Sequence, residues 1–157
     1  MAQFHGVVFD LDFNSATGWT QVLLSTATPG PAPVTRDPRM SSLLGAAYAA
    51  GAMCMVESQP VNNQVPEEIV RASVWPPPLP VSPPPGQAFA RRASLDLSNG
   101  RFVAEFVDSN GNGVLGWDDT GHAQQIVETA IVAGEFVEYL TIDAPPTGRI
   151  QRVKVNH

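Results

Sequence analysis

The run Asp108-Ser109-Asn110-Gly111-Asn112-Gly113-Val114-Leu115-Gly116-Trp117-Asp118-Asp119 has the spacing of a calcium loop. Oxygen-bearing side chains stand at its first, third and fifth positions, glycine at the sixth and an acid at the twelfth. Hard oxygen donors at alternate positions can wrap a calcium ion, and Gly113 allows the sharp turn this requires. Asp108, Asn110, Asn112 and Asp119 are therefore the candidate ligands, and calcium is the one cofactor the sequence raises. Three features weigh against it. Arg101 to Val107, just before the loop, reads as strand, the twelfth position holds the shorter acid, and the third and fifth are neutral amides. The competing reading of the same residues is a metal-free hairpin turn, since Asn-Gly is a strong turn signal.

Other residue types capable of chemistry are scattered. His5, His122 and His157 lack the paired spacing of a metal site. Cys54 lies among Met53, Met55 and Val56, where cysteine behaves as a small buried hydrophobe, and no neighbouring cation lowers its pKa. Glu67 and Glu68 follow Pro66 and read as a solvated turn pair rather than an acid–base dyad. No phosphate loop, dinucleotide fingerprint or serine elbow is present. An enzyme would have to assemble its site from dispersed groups such as His122, Asp118 and Asp119. Trp19, Trp75 and Trp117 are candidates for stacking on a sugar or anchoring an interface, against the alternative of core packing. Trp117, beside two aspartates, is the one expected to reach solvent.

These side chains sit on a chain of 157 residues, one ordinary domain or two very small ones. With 43% hydrophobic residues it has material for a core; with 15% charged residues it has an unusually uncharged surface, which favours burial against a partner. The net charge is −6 and no basic cluster exceeds Arg91-Arg92, which disfavours nucleic acid and anionic membranes. The apolar stretch from Leu43 to Val56 is too short to span a bilayer. No charged segment leads into an apolar one near Met1, so no signal peptide is expected and the cytoplasm is the default location. A single cysteine excludes an intramolecular disulfide.

The segment from Trp75 to Gly86 holds seven of the fifteen prolines. Proline fixes φ and removes the backbone donor, so this stretch is expected to be extended, as a semi-rigid linker or as a ligand for an aromatic groove. On either side the sequence repeats itself. At one constant offset Ala47 matches Ala130, Ala50 matches Ala133 and Gly51 matches Gly134, while Leu43/Ile126 and Leu44/Val127 keep their character. The periodicity predicts helices over 40–51 and 123–133, each stopped by a left-handed glycine and followed by a strand, Met53 to Glu57 and Phe136 to Leu140. Upstream, alternation marks strands at Val7–Leu11 and Phe102–Phe106, each running into a turn-rich loop and a second strand, Trp19–Leu24 and Val114–Trp117. Each half closes with further strand, Ile69 to Trp75 and Arg149 to Val155. The longer segment Ser25 to Pro38, with four prolines, is expected to be a surface loop. The fold class is thus β-rich α+β with two pseudo-repeats, each β-hairpin–helix–strands. A first unit covers 1–75, a proline-rich linker 76–92 and a second unit 93–157, free to pack as one domain.

The passage Arg39-Met40-Ser41-Ser42-Leu43-Leu44-Gly45-Ala46-Ala47-Tyr48-Ala49-Ala50-Gly51, leading straight into a strand, resembles the helix-to-strand passage of bacterial AB5 enterotoxin B subunits. The resemblance covers about twenty residues by sequence and the rest of the first half only by order of elements. It implies an OB-like, partly open barrel, with glycan binding or ring assembly as the associated functions; no toxin binding residue matches a position in this chain. The favoured functional reading is a non-catalytic binding or assembly module, taking a glycan or a protein and self-associating. The alternatives are the small enzyme with a dispersed site and a structural component of a particle or secretion apparatus.

Overall fold

The computed structural model describes residues 2–26, 31–60 and 66–155. They form a β-rich α+β protein with a mixed ten-stranded sheet and two helices. The first half holds β1 (Ala2–Asn14), β2 (Trp19–Leu24), β3 (Val34–Thr35), α1 (Pro38–Ala50), β4 (Met53–Gln59) and β5 (Glu68–Trp75). The second holds β6 (Gln87–Asp96), β7 (Arg101–Asp108), β8 (Gly113–Asp118), α2 (His122–Ala133), β9 (Val137–Ile142) and β10 (Thr147–Val155).

β1 is long enough to serve two neighbours: Val8 to Asn14 pair antiparallel with β2, and Ala2 to Val7 with β4. β2 pairs antiparallel with β3, β4 antiparallel with β5, and β3 meets β5 in parallel at Val34↔Glu68, so the first five strands close a circuit. In the second half β6 pairs antiparallel with β7 and β9, β7 with β8, and β9 with β10, while β8 and β10 run parallel from Thr147↔Leu115 to Arg149↔Trp117. These five strands also close on themselves. The two circuits share an antiparallel seam, β5 against β6, from Arg71↔Asp96 to Val74↔Ala93.

α1 begins where it does because Asp37 accepts from the backbone N–H groups of Arg39 (2.9 Å) and Met40 (3.1 Å), with Pro38 at the first helical position. α1 ends at Gly51 (φ 64°) and α2 at Gly134 (φ 66°), both left-handed, as the glycine-stop reading requires. Met40, Leu43, Leu44 and Ala47 of α1 and Val127, Ala130 and Ile131 of α2 are buried in a single cluster with Phe102, Phe106, Leu95, Val56 and Val74 from the strands. One core therefore runs through both halves.

Three sequence expectations differ from the structure. The linker expected over 76–92 is shorter, because Gln87 to Arg92 open the ten-residue strand β6. That run is rich in alanine and arginine, which are weak strand formers. A register shift between Ala90 and Arg92 also breaks its alternation, so the pattern did not announce a strand. In consequence 101–108, read as the first strand of its half, is the second. Finally, the proposed surface loop Ser25 to Pro38 contains buried strand: Val34 and Thr35 are 3% and 2% exposed and close the first circuit. Residues 27–30 of that segment lie outside the described residues.

Candidate functional site

The β7–β8 hairpin is tightened by one side chain. Asp108 Oδ1 accepts from the backbone N–H groups of Asn110 and Asn112, both at 2.9 Å, while Asp108 N donates to Asn112 O and Gly111 N to Asp108 O. Of the four candidate calcium ligands, Asp108, Asn110 and Asn112 are together in this turn. Asp119 is not: it follows the far end of β8, and six strand residues at about 3.3 Å each separate the two ends. Among the described residues no group of three or more His, Cys, Asp or Glu comes together as a metal site would need.

At that far end Asp118 organises the start of α2. Its Oδ1 accepts from Thr120 N (3.1 Å) and Thr120 Oγ1 (2.7 Å), and its Oδ2 from Gly121 N and Ala123 N, both at 3.1 Å. Gly121, at φ 87°, provides no side-chain cap, so Asp118 supplies the acceptor from outside the helix. Burial pushes this carboxyl up, but the hydrogen bonds outweigh it and hold it below the usual carboxylate range. Asp118, Asp119 and His122, the dispersed enzyme candidates, do line one cleft of about 460 Å³ with Ile126, Arg149 and Gln151. Asp118 is nevertheless fully engaged in positioning α2, and His122 is exposed.

The outward face beside this cleft shares Arg149 with it and adds side chains from β7 and β8. Strand alternation turns Arg101, Val103 and Glu105 of β7 outward, together with Leu115 and Trp117 of β8 and Thr147 and Arg149 of β10. Trp117 is directly opposite Val103 on one side and Arg149 on the other, with Arg101 diagonal to it. The Arg101 guanidinium carbon lies 3.9 Å from the indole centroid and that of Arg149 4.9 Å. Each such contact is worth about 0.5–1 kcal/mol at an exposed site, enough to favour one orientation of a flexible side chain. Both arginines are exposed, and among the described residues neither guanidinium has a carboxylate partner. Trp117 was singled out from the sequence. The arginines were not, since nothing local marks residues on three strands as neighbours.

Cys54, Glu67, Glu68 and Trp19 are structural in placement. Cys54 is 2% exposed and burial pushes its thiol up to about 12, which leaves it unreactive. Glu67 accepts from Ser58 Oγ (3.0 Å), and Glu68 from Arg36 Nε (2.7 Å). Trp19 lies under the Arg36 guanidinium at 5.7 Å, with its indole N–H buried and unpartnered. Trp75, at 39% exposure, and not Trp117 is the tryptophan that reaches solvent most clearly; Trp117 is half-buried, with Arg101 and Arg149 over its ring. His5 is exposed on β1, and His157 lies outside the described residues.

Sequence reasoning missed a polar network between the helices. Ser42 Oγ donates to Glu128 Oε1 (2.5 Å), Gln124 Nε2 to Glu128 Oε2 (2.7 Å) and to Arg39 O (2.9 Å), and Arg39 to Gln124 Oε1 and Gly100 O. It binds α1 and α2 side by side in parallel. The only signal was a Gln124–Glu128 pair on the helical stripe next to Val127 and Ile131. Comparison with protein-family models, curated proteins and solved structures finds no match to this chain.

Proposed function

We propose that this chain is a non-catalytic binding module built from two diverged copies of an OB-type barrel, with its ligand face on β7, β8 and β10. In each half the strands pair in the order first-second-third-fifth-fourth. The third and fifth run parallel and the helix falls between the third and fourth, a topology that supports the OB reading. Barrels of this kind take ligands on the face of their second and third strands. In the second half that face carries Trp117 between Arg101 and Arg149, and this is the observation on which the proposal rests. Fold alone does not decide function; a half-buried aromatic flanked by two exposed, uncommitted cations suits recognition, and this trio contains no nucleophile or acid–base pair. A glycan, with self-association of the chain, is the favoured partner.

A glycan array run beside a solution-mass measurement tests this. Binding to a defined set of glycans, abolished by Trp117→Ala, is the expected result. A wild-type chain that binds no glycan, or binding indifferent to Trp117→Ala, would sink the assignment of this face. The mass measurement decides self-association separately.

A further inference from the structure

We infer that the Arg101–Trp117–Arg149 corner is a receptor for a single acidic group, carboxylate or sulfate, carried on a sugar whose body lies in the neighbouring cleft. This rests on the proposed binding face and adds the ligand's chemistry.

In a chain of net charge −6, three other guanidiniums are already neutralised. Arg36 is paired with Glu68, Arg71 with Asp96 at 2.9 Å and Glu57 at 3.5 Å, and Arg91 with Glu105. Arg101 and Arg149 instead stack on one indole. A guanidinium over a ring face keeps its planar fork of N–H donors for hydrogen bonding, and among the described residues neither the Arg101 nor the Arg149 guanidinium donates to a carboxylate. That fork matches the two oxygens of a carboxylate or sulfate. Held against Trp117, it loses less freedom on binding than an unsupported arginine would.

The same stacking argues against other ligands. With guanidiniums over the indole, the ring is a poor platform for a nucleobase, and single-stranded nucleic acid also needs a continuous basic track. The cleft supplies the rest of the specificity. Arg149 lines its edge, and Asp119, Thr120, His122 and Gln151 add polar groups suited to hydroxyls, beside Ile126. Its volume of about 460 Å³ falls in the range of small-ligand sites. Asp118 and Asp119 offset Arg149 and Arg152 in the lining, so the cleft offers no net positive field to a polyanion and a sugar with one anionic group fits better.

The first half provides a control. There Trp19, Arg36 and Glu68 lie near the ends of β2, β3 and β5, a comparable corner on the two-barrel reading. Arg36 is already held by Glu68, so that corner offers no open fork.

The test uses one disaccharide scaffold in neutral, monocarboxylated, monosulfated and polysulfated forms, with oligothymidylate as the nucleic-acid probe. It is titrated against wild type, Arg101→Gln, Arg149→Gln and Arg36→Gln. All three arginines are exposed, so unchanged melting curves are expected to certify folding. A monoanionic form should bind roughly tenfold or more tighter than the neutral one, with that advantage lost in Arg101→Gln and Arg149→Gln and kept in Arg36→Gln. Whichever of the carboxylated and sulfated arms binds identifies the acid. Equal binding of neutral and acidic forms, still dependent on Trp117, overturns this inference but leaves the binding face standing. Preference for the polysulfated form or for oligothymidylate overturns it in favour of a polyanion site. Failure of every probe overturns both.

Discussion

Glu128 is 7% exposed between the helices, a charge-bearing side chain where apolar ones predominate. Burial pushes its carboxyl up, and the hydrogen bonds from Ser42 and Gln124 and the Arg39 charge only partly oppose this. The folded protein therefore holds this proton more tightly than the unfolded chain does. The contribution of Glu128 to stability is greatest in acid and declines as pH rises above the ordinary glutamate value of 4.5. Asp118 has the opposite sign: its lowered value adds stability above the ordinary aspartate range, lost as pH falls through its folded-state value. The whole-protein profile mixes the two. The difference between wild type and Glu128→Gln isolates the first. Urea melts from about pH 4 to 7 should show wild type losing stability relative to the variant as pH rises; a constant difference would mean that the network solvates the carboxylate fully.

Both helices stop at a left-handed glycine, and both close with the same pair of hydrogen bonds. Gly51 N donates to Tyr48 O and Ala52 N to Ala47 O; Gly134 N donates to Ile131 O and Glu135 N to Ala130 O. A methyl group added at Gly51 would meet nothing within 4 Å, and at Gly134 only Leu79 Cδ2 at 3.7 Å, an ordinary contact. The cost of substitution is therefore a backbone cost at both sites. Gly51→Ala and Gly134→Ala should each destabilise by about 1 kcal/mol and by similar amounts. A chemical-denaturation series measures this, and a loss well below that at both sites would contradict the left-handed caps. Closely similar cap geometry at matching positions is what the proposed duplication requires. So is the recurrence of a helix between the third and fourth strand of each circuit.

At the scale of the whole molecule, the proline-rich segment 76–86 joins the halves in sequence, but it is not what unites them physically. The β5–β6 seam carries an Arg71–Asp96 ion pair and a Ser73–Ser94 hydroxyl bond at 2.9 Å. The Arg39–Gln124–Glu128–Ser42 network also holds α1 to α2, and one apolar cluster draws residues from both halves. Unfolding either half would expose the seam and the apolar cluster the two halves share. Calorimetry should accordingly give one transition whose calorimetric and van't Hoff enthalpies agree. Two resolved transitions would mean that the halves are stabilised independently.

The amino-acid sequence by itself determined the helices, their glycine stops, the strand that follows each, and the closing strands near 69–75 and 149–155. Each of these is written in a local periodicity or a backbone-permissive residue. The β7–β8 turn was equally legible, because Asn-Gly and an aspartate that bonds its own loop act within a few residues. Tertiary structure alone decided the rest. β3 is two residues long and exists because β2 and β5 offer it partners. β6 is a strand despite its alanines and arginines because β5, β7 and β9 satisfy its backbone. Trp117 acquired Arg101 and Arg149 as neighbours only through the register of β7, β8 and β10. Periodicity encodes which face of an element is buried, and it carries no record of which distant strand will lie beside it. A site assembled across three strands therefore becomes visible only once the strands are paired.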